Sequence, residues 1–420
     1  MESALDEIGS AIAVSADDYL ETALKAYEYI AAPDGHIEFL GGMSPELYTE
    51  SDDSLAAWND DNHVCSYGVD ASTTQERDFS NGLRLCLANA KAGVIGPGAN
   101  RLEDENHVII GLYDRDGHTG LSSKPLRDDS TVRADLRVFD ESVPYRTRRL
   151  VKSLTRTLAE GEHLTHVLDT MHADAEPGPV FIDGPIYPPM ILPEVVSRHI
   201  EGKENAWTDI FGERVGKYLD GASWALDTGW PIIGIVKDMD SSSLVTDLKS
   251  KVGQYGLHDD IEFPWKTDKQ FLTDLLQEDG PGTFVYTDWM VQVEQYTTAS
   301  VDGDSYVNPF TDCPHLKFDA DEYLRAFFFV RNPHTNTILR VETPRGLVRD
   351  DTSREYIQRR ALAEIAKNGE TAEAIVRADS QARISRQAQH QLFSRLYTNL
   401  NAVTSYNRDY RGPEYTGDEH

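Results

Sequence analysis

The hydrophobic and polar pattern of this chain changes character twice. From Tyr19 to Ile30 apolar residues recur near helical spacing, and Ser44–Asp61 is acidic and turn-rich, so residues 1–60 read as a helical and acidic N-terminal extension. His63–Asp70, Leu83–Val94 and Val108–Asp114 then read as strands joined by polar links, the second following an Asn81-Gly82 turn signal, which predicts an antiparallel meander. Tyr145–Met171 carries a helical pattern broken only by Gly161. Val180-Phe-Ile-Asp183 and Pro231–Lys237 are short apolar runs of the kind buried inside a sheet. Helices are predicted near Leu192–Ile200 and Thr208–Asp227, and again from about Ser242. The last third returns to strands at Thr283–Val293, Tyr323–Val330 and Ile338–Val341, then closes with helices at Arg354–Asn368, Ala372–Arg377 and Arg386–Leu400. The order β-β-β-α-β-α-β-α predicts an α/β fold in which a mixed sheet is flanked by helices. The expected organisation is an extension over 1–60, a main domain over 61–402 and a flexible tail over 403–420.

Composition narrows the function classes. The 420 residues are 40% hydrophobic and 26% charged, which suits a soluble protein with a sizeable core. Asp and Glu number 71 against 40 Lys and Arg, a formal net charge of −31, and only 13 of the cations are Lys against 27 Arg. Abundant carboxylate with scarce lysine is the composition expected of a protein from a very salty cytoplasm. No apolar run is long enough to span a membrane. The acidic residues of Met1–Asp18 stand where a signal peptide needs cations. Cys65, Cys86 and Cys313 form no C-x-x-C pair, which disfavours a disulfide framework and fits a reducing cytoplasm. No phosphate-binding glycine loop of the Walker or dinucleotide type is present. The acidic charge does not exclude nucleic acid, because at about 1 M salt the Debye length is ~3 Å. What matters is where the few cations lie.

Two acids end apolar strands: Asp70 in Tyr67-Gly-Val-Asp-Ala-Ser-Thr73 and Asp183 in Phe181-Ile-Asp-Gly-Pro185. A carboxylate there either caps the following turn or binds a cation, and two on neighbouring strands would favour a divalent metal that removes their repulsion. A third ligand is expected from the preceding helix, where Glu160 and Glu162 face different sides; Glu162 is chosen because it precedes the apolar positions Leu164 and Val167. His163, His166 and His172 lack the H-E-x-x-H spacing of a zinc site and read as exposed or capping residues. Arg146, Arg148, Arg149, Lys152 and Arg156 form a cationic stretch without an intervening acid, suited either to a phosphate backbone or to neighbouring acids. Lys237 ends a buried strand beside the Ser-rich turn Asp238–Leu244, where it could balance charge on a phosphate.

Taken in order, Tyr67–Thr73, Val180–Tyr187, Ile233–Ser242 and Leu339-Arg-Val-Glu-Thr-Pro-Arg345 resemble the motifs of the NurA nucleases of archaea, over roughly residues 60–400. The resemblance implies an RNase H-like fold and Mn²⁺- or Mg²⁺-dependent DNA cleavage, as a 5′–3′ exonuclease or single-strand endonuclease, in double-strand-break end resection. It also implies a homodimer working with a HerA-type hexameric translocase in the cytoplasm. By this analogy Asp70, Asp183 and Glu162 are metal ligands, and Lys237 neutralises the phosphate. Asp379 stands where the family often has a His after Ala, so it either serves as an oxygen ligand or the role is lost. Asp70-Ala71-Ser72 also departs from the family's usual Asp-Gly-Ser. These departures keep a second reading open, a catalytically silent DNA-end or translocase adaptor, and a third, an RNase H-like enzyme acting on RNA or hybrids.

Overall fold

The computed structural model describes residues 19–400 except for 33–34, 43–44, 62–63, 80–82, 97–99, 115–119, 140–150, 174–176, 189–209, 238–240, 255–262, 278–279, 294–295, 301–302, 309, 312 and 315. The N-terminal elements are α1 (Leu20–Glu28), β1 (Ile37–Phe39), β2 (Leu47–Ser51) and α2 (Asp52–Asp61). Next come β3 (Ser66–Thr73), β4 (Arg77–Asp78), β5 (Arg84–Ile95), α3 (Asn100–Asp104), β6 (Asn106–Tyr113), β7 (Lys124–Asp128) and β8 (Val132–Phe139). The middle holds α4 (Val151–Ala173), β9 (Val180–Asp183), α5 (Ile210–Thr228), β10 (Ile232–Val236), α6 (Ser243–Gln254) and α7 (Asp268–Leu275). The remainder comprises β11 (Thr283–Thr287), β12 (Met290–Gln292), β13 (Tyr296–Ser300), β14 (Gly303–Val307), β15 (Arg325–Asn332), β16 (Thr337–Pro344), α8 (Asp351–Asn368), α9 (Glu373–Ala382) and α10 (Arg386–Leu400). The chain is α/β, a mixed sheet flanked by helices, as its pattern predicts. The succession β3-β5-β6, α4, β9, α5, β10 contains the expected three strands followed by alternating helix and strand. The helix predicted at Leu192–Ile200 lies outside the described residues. Among the described residues no helix is long and apolar enough to cross a membrane.

Contacts divide the chain into two units. One contains the chain up to Gly68, Val94–Ala99 and Leu168–Val376; the other contains Val69–Gly93, Asn100–Val167 and the chain from Arg377. In the first unit the strands bond in the order β1-β12-β15-β16-β10-β9, with β11 on β15 and β2 on β11. The start of β3 belongs here too, its Tyr67 N–H donating to the Pro179 carbonyl at 3.0 Å. β9 and β10 run parallel and are apolar on both faces, which is why each reads as an unbroken hydrophobic run. The polar stretch around Ser44–Asp61 becomes β2 and α2 because β11 supplies β2 with a pairing partner and α8 covers α2. Arg360 of α8 lies over the Trp58 ring and donates to Asn59. Ala23, Ala26 and Tyr27 of α1 enter a core with Leu248, Phe271, Leu272, Phe327 and Phe329. Lys251 is buried with Asp247, and its Nζ donates to the carbonyls of Ile30 and Ile37 at 2.9 and 2.7 Å, tying the N-terminal segment to α6.

β16 carries the most demanding polar group of this unit. Glu342 is fully buried between two arginines, with Arg325 Nε at 3.0 Å from one carboxylate oxygen and Arg340 Nε at 2.7 Å from the other. Removing one partner of such a cluster strands uncompensated charge in a low dielectric.

The second unit bonds its strands in the order β3-β5-β6-β8-β7, with β4 on β5. β5 and β6 are antiparallel as expected, whereas β8 is added parallel to β6, and β7 folds back on β8 with a register shift between Pro125 and Arg127. Every residue of β7 is exposed. The apolar core gathers Phe79, Leu83, Leu85, Leu112, Leu136 and Phe393. His163 of α4 is buried, which corrects the expectation of an exposed or capping residue: α4 is packed on the side that carries it, and its ring lies 5.9 Å from that of His166. His166 is itself largely covered and contacts Glu105 and Arg133, while His107 on β6 pairs with Asp135 at 3.1 Å. Burial pushes the His163 imidazole well below its ordinary value, helped by the neighbouring His107 and His166. Burial also lowers His107, against the opposing pull of Asp135.

These buried groups have measurable effects on stability. Glu342→Ala should destabilise the chain by about 3–5 kcal/mol in urea denaturation, because both arginines lose their anion. A second effect concerns pH. Burial lowers both imidazoles in the folded chain, whereas the unfolded chain takes up protons near pH 6.5. Stability should therefore fall as pH drops below about 6.5, by up to ~1.4 kcal/mol per pH unit for each histidine. His163→Leu should flatten that slope by one proton's worth in denaturation curves measured between pH 7.5 and 5.

Candidate active-site carboxylates

Each of the two units positions a strand acid with a cation. In the second unit Asp70 lies on β3 with its side chain buried. Arg156 and Glu160 stand one turn apart on α4, so both reach the same side of the helix. Arg156 donates through Nη2 to Asp70 Oδ1 at 2.9 Å, and its Nε lies 3.5 Å from Glu160 Oε2. Two carboxylates from different elements thus share one guanidinium. Glu162 points elsewhere, to Arg137 Nη2 at 3.4 Å. The helix acid that joins Asp70 around a common cation is therefore Glu160. The signal was the i,i+4 spacing to Arg156, which Glu162 lacks.

Of the cationic stretch, Arg146, Arg148 and Arg149 lie outside the described residues. Lys152 exposes its side chain, while its backbone N–H donates to Glu76 Oε1 at 2.7 Å, so a carboxylate caps the start of α4. Burial raises the Glu76 carboxyl, against the lowering effect of that N–H and of Arg84. Asp379 on α9 is half-exposed and ion-paired with Arg383 at 2.6 Å.

In the first unit Asp183 ends β9 and Lys237 immediately follows β10. The two strands are parallel neighbours with Asp183 level with Ile235, which puts Lys237 on the same face as the acid. Lys237 Nζ lies 2.8 Å from Asp183 Oδ1, and both remain partly exposed. The turn after Asp183 is fixed at three points. Gly184 has φ +121°, a conformation reserved for glycine, and its N–H donates to the Ile235 carbonyl at 3.0 Å. A Cβ on Gly234 would stand 2.6 Å from the Gly184 carbonyl oxygen, so the turn lies directly on a bare backbone. The Ile186 N–H donates to Glu342 Oε2 at 3.1 Å. The buried Arg–Glu–Arg cluster is thus linked to the Asp183 turn, a role for Glu342 that the sequence pattern alone did not indicate.

Among the described residues no three His, Cys, Asp or Glu side chains converge as a ready-made metal site. Asp70 and Glu160 nevertheless offer hard oxygen donors already gathered around one cation. That donor set fits an ion of the Mg²⁺ or Mn²⁺ type, which often takes only one or two protein carboxylates and completes its shell with water and phosphate.

The family model of the NurA domain matches residues 67–384. No curated protein matches the chain. Among solved structures, the NurA nuclease from Sulfolobus solfataricus is 11% identical with a TM-score of 0.47, the match covering 95% of this chain and 96% of that one. A NurA bound to dAMP and manganese is 12% identical with a TM-score of 0.45, covering 97% and 98%. A NurA with manganese is 12% identical with a TM-score of 0.42, covering 82% and 90%.

The Asp183 turn yields a direct test. Gly184→Ala should cost about 1–3 kcal/mol in chemical denaturation, the strain of a side chain in a glycine-only conformation.

Proposed function

The chain belongs to the NurA domain family, and on that footing we propose that it is a divalent-metal-dependent DNA nuclease. The reading extends to DNA double-strand-break end resection as a homodimer with a HerA-type translocase, which the family resemblance supports. The observation that carries the chemistry is the pair of covered carboxylates, Asp70 and Glu160, held around a single cation.

Asp70 and Glu160 would hold the ion, with Glu162 the alternative helix acid. Bound there, Mn²⁺ or Mg²⁺ would supply Lewis-acid neutralisation of phosphate charge. Asp183 is the second strand acid of the reaction. Lys237 holds Asp183 in position in the resting protein and offers its ammonium to a non-bridging phosphate oxygen when substrate arrives. Lys152, with Arg146, Arg148 and Arg149 of the same segment, meets flanking phosphates. No protein nucleophile is required, because water attacks phosphorus. Asp379 contributes an oxygen only if it leaves Arg383. Its engagement there favours one competing reading, a silent adaptor that binds DNA ends without cutting them.

The test is cleavage of end-labelled single- and double-stranded DNA by the full chain with and without Mn²⁺. Asp70→Ala and Asp183→Ala should each reduce Mn²⁺-dependent cleavage by more than ~10²-fold, beyond the loss typical of outer-shell changes, while the circular dichroism spectrum is retained. Undiminished cleavage by both variants would remove the assignment. A wild-type chain that binds DNA ends, takes up no Mn²⁺ and cuts nothing would establish the adaptor.

A further inference from the structure

Among the described residues, two clusters of carboxylate and guanidinium are built differently. Around Glu342 every member is covered, with side-chain exposures of 0% for the acid and 9% and 16% for Arg325 and Arg340. Around Asp70 the acids are covered, 5% for Asp70 and 11% for Glu160, but Arg156 is 43% exposed. The first cluster is sealed. The second is closed on one side by a cation that reaches in from solvent.

We propose that Arg156 is an exchangeable counter-ion: it neutralises Asp70 and Glu160 in the metal-free protein, and an incoming divalent cation displaces it. The inference rests on the reading that these two acids hold the metal. Two neighbouring covered carboxylates without a cation repel each other and lack solvation, so the metal-free protein needs a substitute charge. Arg156 supplies it, because a guanidinium stays protonated at any working pH. For the same reason it cannot be neutralised in place when a dication arrives, and must move out. Its contact to Asp70 is a hydrogen bond at 2.9 Å, and the Nε to Glu160 distance of 3.5 Å lies at the limit for one. Before exchange the three groups sum to −1, and after it the two acids and a dication sum to zero. The released guanidinium stays tethered to α4 beside the ion, where a phosphate oxygen is its natural new partner. Arg156 thus has two successive anions, the acids first and DNA second.

The experiment uses the full chain freed of metal by chelation, with Mn²⁺ as the probe, read by titration calorimetry and by melting temperature with and without the ion. Arg156→Gln should bind Mn²⁺ about twofold to fivefold more tightly than wild type, the scale of one solvent-accessible ion pair. Its metal-free melting temperature should fall below the wild-type value, and Mn²⁺ should close that gap. Arg156→Lys keeps the charge without the fork and should fall between the two in affinity, which preserves the test if the Gln variant folds poorly. Asp70→Asn should lose most Mn²⁺ binding. If Asp70→Asn loses binding while both Arg156 variants bind Mn²⁺ no more tightly than wild type, the exchange is overturned and the metal site stands. If Asp70→Asn binds Mn²⁺ as wild type does, the site reading fails and the exchange fails with it.

Discussion

A covered carboxylate must be met by a cation or by hydrogen-bond donors. Ser241, Ser243 and the Val245 N–H do this for Asp268, and cations do it for strand and helix acids in both units, including the partly exposed Asp183. Asp247 has Lys251, Glu342 has Arg325 and Arg340, Asp70 and Glu160 share Arg156, and Asp183 has Lys237. Arginine outnumbers lysine 27 to 13 in the sequence, and the structure shows a use for the difference. A planar guanidinium can face two carboxylates from different elements at once, as Arg156 does across β3 and α4 and Arg84 does towards Glu76 and Asp78. A lysine offers a point charge, and among the described residues both lysines above meet one carboxylate each.

Much of the architecture was legible in the sequence, for identifiable reasons. The doubly apolar runs Val180–Asp183 and Ile232–Val236 could be nothing but interior strands, and Arg386–Leu400 emerged with the bounds its pattern predicts. β8 could have been read as well, since Val132, Ala134, Leu136 and Val138 alternate with Arg133, Asp135 and Arg137. β2 and α2 could not, because their polar residues order only through pairing with β11 and packing against α8. Thr283–Val293 split into β11 and β12 around Asp288-Trp289, where the Trp289 N–H donates to its neighbour's own carboxylate instead of continuing a ladder.

The acids at strand ends stood out because a charge closing an apolar run is conspicuous. The helix acid was harder. Choosing between Glu160 and Glu162 by adjacent hydrophobic residues points to Glu162, whereas the partner four residues earlier points to Glu160. Side-chain pairing along a helix is a better guide to where a charge is aimed than the apolarity of the next few positions. Glu342 was hidden for the opposite reason, since a lone acid within a strand reads as a solvent-facing position until the arginines on either side are known to be buried.

The exposed strand β7 has a consequence of its own. It bonds to β8 and, among the described strands, to nothing on its other side. An open row of backbone groups is a template for strand addition by another molecule. Here Pro125 withholds an N–H, Lys124, Arg127 and Asp128 surround the single apolar Leu126 with charge, and the register shift distorts the ladder. Such an edge resists sticking, which matters most in a crowded, salt-rich solution where long-range repulsion between like-charged molecules no longer keeps copies apart.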